Sequence, residues 1–307
     1  MRRISALVVV ACLLGGLTAC SGGTGSSDCG DPLASGDAST LVEATGDFDT
    51  APTVTFPQPL ITTSIEKSVL IEGDGAVVRD GQPVILEASI LSGADGSVIN
   101  QTDYTAGGGS IFTVGDPGLP ALGAGLECST VGSRIAIVAS GAENAAEGAA
   151  TSPDTIVYVV DVLSAYPSRA EGTNQLPKAG LPSVVTAPDG TPGITIPNDD
   201  APTEYEASTL IEGRGSEIED DDVVIAKYTA VDWTTGTVIE SGWSDASINV
   251  IALNGTEVGD GLREAVVGQK IGSQVIAVIP PELSGPDGTS TSQDTAVYVI
   301  DILGTIN

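Results

Sequence analysis

The chain has no histidine among its 307 residues, and that absence removes whole classes of chemistry. A Ser/His/Asp triad, a Cys/His nucleophile pair and a histidine-ligated metal each need an imidazole as base or ligand. Positive charge is also scarce, with 11 Lys+Arg against 41 Asp+Glu, a formal net charge of −30. A field of that sign repels phosphate backbones, and no basic patch with interleaved aromatics opposes it, so nucleic acid is excluded as a partner. Aromatics make up only 4% of the residues, whereas 39 Gly and 18 Pro accompany a hydrophobic content of 41%. That balance favours Val/Ile/Thr strands joined by turns, and the length suits two domains.

The first residues read as an address. Arg2 and Arg3 precede an apolar run from Ile4 to Leu17 that is too short to span a bilayer. Leu17-Thr18-Ala19-Cys20, followed by a Gly/Ser-rich stretch, resembles a bacterial lipoprotein signal, in which the cysteine is lipidated and becomes the N-terminus. The bland alternative is an ordinary secretory signal with a cysteine near the cut. Stable anchoring needs more than one acyl chain, as the resemblance implies. Four cysteines are present: Cys12 leaves with the signal and Cys20 takes lipid, so Cys29 and Cys128 are the expected disulfide of an exported chain.

The body is written twice at an offset of 140 residues. Leu70-Ile71-Glu72-Gly73 recurs as Leu210-Ile211-Glu212-Gly213, and Val98-Ile99 as Val238-Ile239. Asp154-Thr155-Ile156-Val157-Tyr158-Val159 returns as Asp294-Thr295-Ala296-Val297-Tyr298-Val299. The expected organisation is a signal over 1–19, a lipidated cysteine and flexible tether over 20–51, a first unit over 52–167, a Pro/Gly-rich linker over 168–191 and a second unit over 192–307.

Within a unit the period is that of strands. Val223 to Val231 and Thr237-Val238-Ile239 flank Thr234-Thr235-Gly236 and read as a hairpin, with further strands over 274–279 and 296–303. One short helix, Leu262 to Val267, is closed by Gly268. This predicts an α+β class, each unit a curved antiparallel sheet around one short helix. A pair of immunoglobulin-like sandwiches has no place for that helix.

The second unit resembles the FKBP-type peptidyl-prolyl isomerases. The carriers are Leu210-Ile211-Glu212-Gly213-Arg214-Gly215, Val224 to Thr229, Thr235 to Ser241, Glu257-Val258-Gly259-Asp260-Gly261-Leu262, Ile271 to Leu283 with Ile279-Pro280-Pro281-Glu282-Leu283, and Val297 to Leu303. The resemblance implies two tandem FKBP-like domains and an isomerase acting on proline-containing polypeptides without cofactor or metal. It places Tyr228, Glu240 and Tyr298 as catalytic residues, and Ile239, Val258, Gly259 and Leu262 as substrate-binding ones. Departures are equally specific. Ile239 stands for the family's phenylalanine, Glu240 for its aspartate and Leu262 for the tryptophan on the pocket floor. Ser284-Gly285-Pro286 replaces the Ala-Tyr-Gly whose hydroxyl reaches the substrate.

In the first unit Tyr228 becomes Ala88, Glu240 becomes Asn100 and Pro280-Pro281 becomes Ser140-Gly141, which marks a non-catalytic copy. Tyr158 and Tyr298 also read as plain core aromatics, and the acidic run Glu217 to Asp222 as a solvated turn. Trp233 and Trp243 fit either the wall of the bowl or its rim. Two functions stand side by side: a monomeric isomerase, exported and lipid-anchored to the outer face of the cell membrane, that assists extracytoplasmic folding, or a non-catalytic FKBP-like module that holds extended proline-containing segments.

Overall fold

The computed structural model describes Cys29 and residues 32–105, 107–150, 152, 154–243, 248–253, 255, 258–289 and 292–306. The signal and Cys20 lie outside the described residues, as does Glu257. Among the described residues no helix is long and apolar enough to cross a membrane.

The elements follow the repeat. The first half holds β1 (Glu43–Thr45), β2 (Thr53–Thr55), β3 (Ile65–Ile71), β4 (Pro83–Ser92), β5 (Val98–Gln101), β6 (Ser110–Thr113), α1 (Pro120–Leu126), β7 (Arg134–Ala139) and β8 (Ile156–Ala165). The second holds β9 (Gly172–Asn174), β10 (Ser183–Thr186), β11 (Pro192–Thr195), β12 (Glu206–Gly213), β13 (Val223–Asp232), β14 (Val238–Ser241), β15 (Asn249–Ala252), α2 (Asp260–Val266), β16 (Gln274–Ile279) and β17 (Ala296–Ile306). One sheet runs β3-β7-β8-β4-β5 with β6 also on β4, and the other β14-β13-β17-β16-β12-β9 with β15 also on β13. All pairings are antiparallel.

Alternation along a strand sends successive side chains to opposite faces. On β16, Val275, Ala277 and Ile279 join the core beneath α2, while Ile276 and Val278 enter a second cluster on the outer face. β7 does the same with Ile135 and Ile137 against Ala136 and Val138. An antiparallel sheet can leave one face wet. Here both faces are apolar, and the outer one needs a cover.

The cover comes from the stretches expected as tether and linker, which are corrected here. Residues 43–55 form the β1–β2 hairpin, and Ala44, Val54 and Phe56 pack on the outer cluster of the first sheet. Residues 183–195 form the β10–β11 hairpin, and Val184, Ile194 and Ile196 pack on that of the second. The paired positions differ by 140, so the repeat takes in these hairpins and starts ahead of residues 52 and 192. Apolar side chains at these positions, rather than Pro/Gly content, decide the outcome. A further cluster joins Ile85, Leu163 and Tyr166 to Ile225, Leu303 and Ile306, and Tyr166 Oη donates to Thr305 O at 3.0 Å.

Each outer face also holds a buried carboxylate. Asp161 is bonded by Arg134, whereas Asp301 accepts from Gln274 Nε2 and the Ala170 amide, both at 2.7 Å. Burial pushes the Asp301 pKa up to about 6, against the opposing effect of those two bonds and of Lys227. A raised folded-state value means that the folded chain binds the proton more tightly. Stability from this group is therefore fully present below its unfolded value near 3.8 and is lost as pH rises through about 6. Denaturant unfolding at pH 5 and pH 7 should show this increment, and Asp301→Asn should remove it. An unchanged increment in that variant would assign it to other carboxylates.

Cys29 and Cys128 are bonded in the structure, with Cα atoms 5.7 Å apart.

Candidate active site

Three strands bring the main side chains together. Register pairs Ala230 with Glu240 on β14 and with Tyr298 on β17, so those two residues flank a small alanine in one row. Tyr228, two residues along β13, shares their face and is their diagonal neighbour. Its hydroxyl donates to Glu240 Oε2 at 2.9 Å, and its ring lies 5.6 Å from that of Tyr298 at a tilt of 58°. Burial, and then Glu240, push the Tyr228 pKa up, and burial does the same for Tyr298, so both stay neutral donors.

Asn249, which no sequence pattern marks, donates from Nδ2 to Glu240 Oε1 at 3.2 Å. Both carboxylate oxygens are thereby held, and the Tyr228 hydroxyl is fixed by a group that is itself fixed. Around this pair, Val258, Leu262, Leu283, Tyr228 and Tyr298 are half-buried against the helix-side core. Ile239 is not among them: it stands 56% exposed at the bulge between β13 and β14, on an edge strand that is exposed over residues 238–240.

Gly259 caps α2, and a Cβ there would meet Ser284 O at 2.6 Å. Only glycine lets the loop that lacks the family's tyrosine lie so close. Asp260 ties the same loop: its amide donates to Gly285 O at 3.1 Å, and its carboxylate accepts from the Asp287 and Gly288 amides. Neither tryptophan joins the helix-side core. Trp233 lies in the outer cluster and Trp243 beside the Lys227 ammonium, 4.9 Å from its ring centre.

The first unit closes the same place. Tyr158 is 1% exposed, and its hydroxyl donates to Asn144 Oδ1 at 2.6 Å, so the loop after β7 seals the position that is half-open in the second unit.

With this geometry in place, the comparisons with known proteins decide the family. The sequence pattern of FKBP-type peptidyl-prolyl cis-trans isomerases matches residues 215–303, which contain Tyr228, Glu240, Val258, Gly259, Leu262 and Tyr298. A probable FK506-binding protein of Corynebacterium glutamicum is 33% identical over 115 residues, which span 36% of this chain and 96% of that protein. The chain belongs to the FKBP-type peptidyl-prolyl cis-trans isomerase family. Among solved structures, the three FKBP domains of wheat FKBP73 cover 79% of this chain and 95% of their own at 21% identity and a TM-score of 0.34. FkpA from Escherichia coli covers 40% and 51% at 22% identity and a TM-score of 0.29.

An FKBP-type isomerase suits a chain without histidine. The prolyl amide is held by resonance with a barrier of about 18 to 20 kcal/mol, and no bond breaks when it rotates. What lowers the barrier is an apolar surface that strips water from the amide and binds the twisted form better than either planar isomer. Neutral donors held at the rim can orient the flanking carbonyls.

Proposed function

We propose that this FKBP-type isomerase carries two tandem FKBP-like domains, that the second is the active one, and that it works outside the cytoplasm, held to the membrane through Cys20. The observation that carries the assignment of activity is the contrast between the two tyrosines: Tyr298 is half-buried beside the Tyr228–Glu240 pair, while Tyr158 is sealed under Asn144. The substrates are proline-containing segments of folding polypeptides. In this reading Glu240 and Asn249 position the Tyr228 hydroxyl, and Val258, Leu262 and Leu283 supply the dry surface for the proline ring. The anchor rests on the Leu17-Thr18-Ala19-Cys20 sequence and the glycine/serine stretch after it. Mass spectrometry of membrane-extracted protein should find an acylated N-terminal cysteine, and a mature chain with unmodified Cys20 would refute the anchor.

Tyr228→Phe in the full chain is the test of the site. The hydroxyl's partner is the exposed Glu240, so the melting temperature should hold. Loss of one oriented donor should lower kcat/KM on a short X-Pro peptide about tenfold, equivalent to roughly 1.4 kcal/mol. An unchanged rate would remove the hydroxyl from the mechanism.

A further inference from the structure

In the first unit the outer edge of β3 is covered by the chain's own N-terminal segment. Ala34 O accepts the Lys67 amide at 3.3 Å, Ser68 Oγ donates to Ser35 Oγ at 3.3 Å, and Cys29 is bonded to Cys128. The Lys67 side chain fills the space behind this segment, with Nζ donating to Glu127 O at 2.8 Å and Ser129 Oγ at 3.3 Å.

The second unit keeps the edge and loses the filling. At the equivalent positions Cys128 becomes Gly268 and Lys67 becomes Ala207. The chain that runs along the edge pairs only at its far end, where Gly172–Asn174 meets Ile211 to Gly213 and the Gln175 amide donates to Leu210 O. Leu176 then stands 91% exposed, and Lys178 comes back to the near end of β12 through a surface ion pair with Glu206 at 3.1 Å. Between them opens a groove of about 580 Å³ whose lining includes Gln175, Ser208, Thr209, Gly268, Gln269 and Lys270. Among the described residues no strand pairs with Glu206 to Thr209 on this side. The lining is hydrogen-bonding rather than apolar, and an edge strand offers unpaired N–H and C=O groups to any extended backbone.

We propose that this groove binds an extended polypeptide segment with small side chains, as an added strand on β12, apart from the prolyl site. The first unit displays the kind of occupant, a run of Leu33-Ala34-Ser35-Gly36 lying on the equivalent edge. That segment is secured in its own unit by Cys29, so it is not free to serve a second copy, and the occupant is a client chain. A groove that reads backbone rather than side chains gives the isomerase a hold on an unfolded client next to the domain that turns its prolines.

The probe is an octapeptide of residues 29–36 with alanine at the positions of Cys29 and Pro32, so that neither a thiol nor a proline contributes. Hydrogen exchange on the unmodified full chain should slow at the amides of 206–210 when the peptide is added, and Tyr228→Phe should leave that protection unchanged. No slowing there would overturn the proposal, as would protection abolished by Tyr228→Phe, which would place the peptide at the prolyl site. In a second arm, Gly268→Cys in the full chain is offered the same peptide with its cysteine restored, in glutathione buffer. A Cβ at Gly268 has its nearest neighbour 3.9 Å away, and Cys128 already occupies the equivalent left-handed backbone. Mixed disulfide should form at least tenfold faster than with Val185→Cys on the exposed hairpin; equal rates would overturn the proposal. Should Gly268→Cys fail to fold, the exchange arm decides alone. A dimer in sedimentation that the peptide dissolves would seat a second copy in the groove and overturn the client assignment.

Discussion

Replacing Arg134 by methionine is expected to cost about 3 to 5 kcal/mol, the range for removing one partner of a buried ion pair. Arg134 and Asp161 are both fully buried, joined through Nε to Oδ1 at 2.6 Å and Nη2 to Oδ2 at 2.7 Å. The same guanidinium donates to Gly46 O, Asp47 O and Thr50 O at 2.9 to 3.0 Å, which fastens the turn of the β1–β2 hairpin to the sheet. Methionine fills much of the volume but leaves Asp161 held by the Asp49 amide at 2.8 Å and without its cation. A buried carboxylate without its cation is the dominant penalty, and three carbonyls lose a donor besides. The second unit supplies the control, because Gln274 occupies the equivalent position and makes one bond to Asp301 at 2.7 Å. Gln274→Met should therefore cost only about 1 to 2 kcal/mol. Urea unfolding of both full-chain variants measures the difference, and hydrogen exchange over residues 43–55 should accelerate in Arg134→Met alone. Equal losses in the two variants would show that neither the charge of Arg134 nor its additional hydrogen bonds set the two positions apart.

The hairpin that Arg134 fastens also shows where the sequence could be read and where it could not. Strands such as 223–231 and 274–279 announce themselves by β-branched runs between turn signals, and the 140-residue offset locates their partners. Residues 29–51 carry no such run, and 169–191 hold only the short Val184-Val185-Thr186. The kinship of the two hairpins rests on apolar type, Ala44 with Val184 and Val54 with Ile194, and on a few identities such as Pro52 with Pro192 and Thr55 with Thr195, in strands of three or four residues set among Pro, Gly and Ser. Composition suggested flexible chain, and packing against an otherwise wet sheet face won. In the site, the family motif supplied Tyr228 and Tyr298, which sit inside long strands, and Glu240 on the short β14 beside them. Asn249 and Asn144 were invisible, since each acts through a contact across the fold that no local spacing encodes. Ile239 illustrates the reverse: the motif named it, but it lies on an exposed edge strand.

The same truncation at two equivalent positions should separate stability from activity. Tyr158→Ala removes a ring that is 1% exposed and leaves Asn144 Oδ1 without its donor, so the first unit should lose about 3 to 5 kcal/mol. Its folded fraction should still catalyse at the full rate, since no open site is touched. Tyr298→Ala removes a half-buried ring whose tilted contact with Tyr228 contributes roughly 0.5 to 1.5 kcal/mol beyond area burial. The smaller burial should keep the total cost below that of Tyr158→Ala. Activity should respond in the opposite order, with kcat/KM falling tenfold or more, because the wall that excludes water from the prolyl amide is breached and the Tyr228 hydroxyl loses its packing support. Urea unfolding followed by a short-peptide isomerisation assay, run where circular dichroism shows both variants folded, gives the two readings on the same samples. A rate loss in Tyr158→Ala as large as in Tyr298→Ala would assign catalysis to both units, and the seal made by Asn144 would then have to open during turnover.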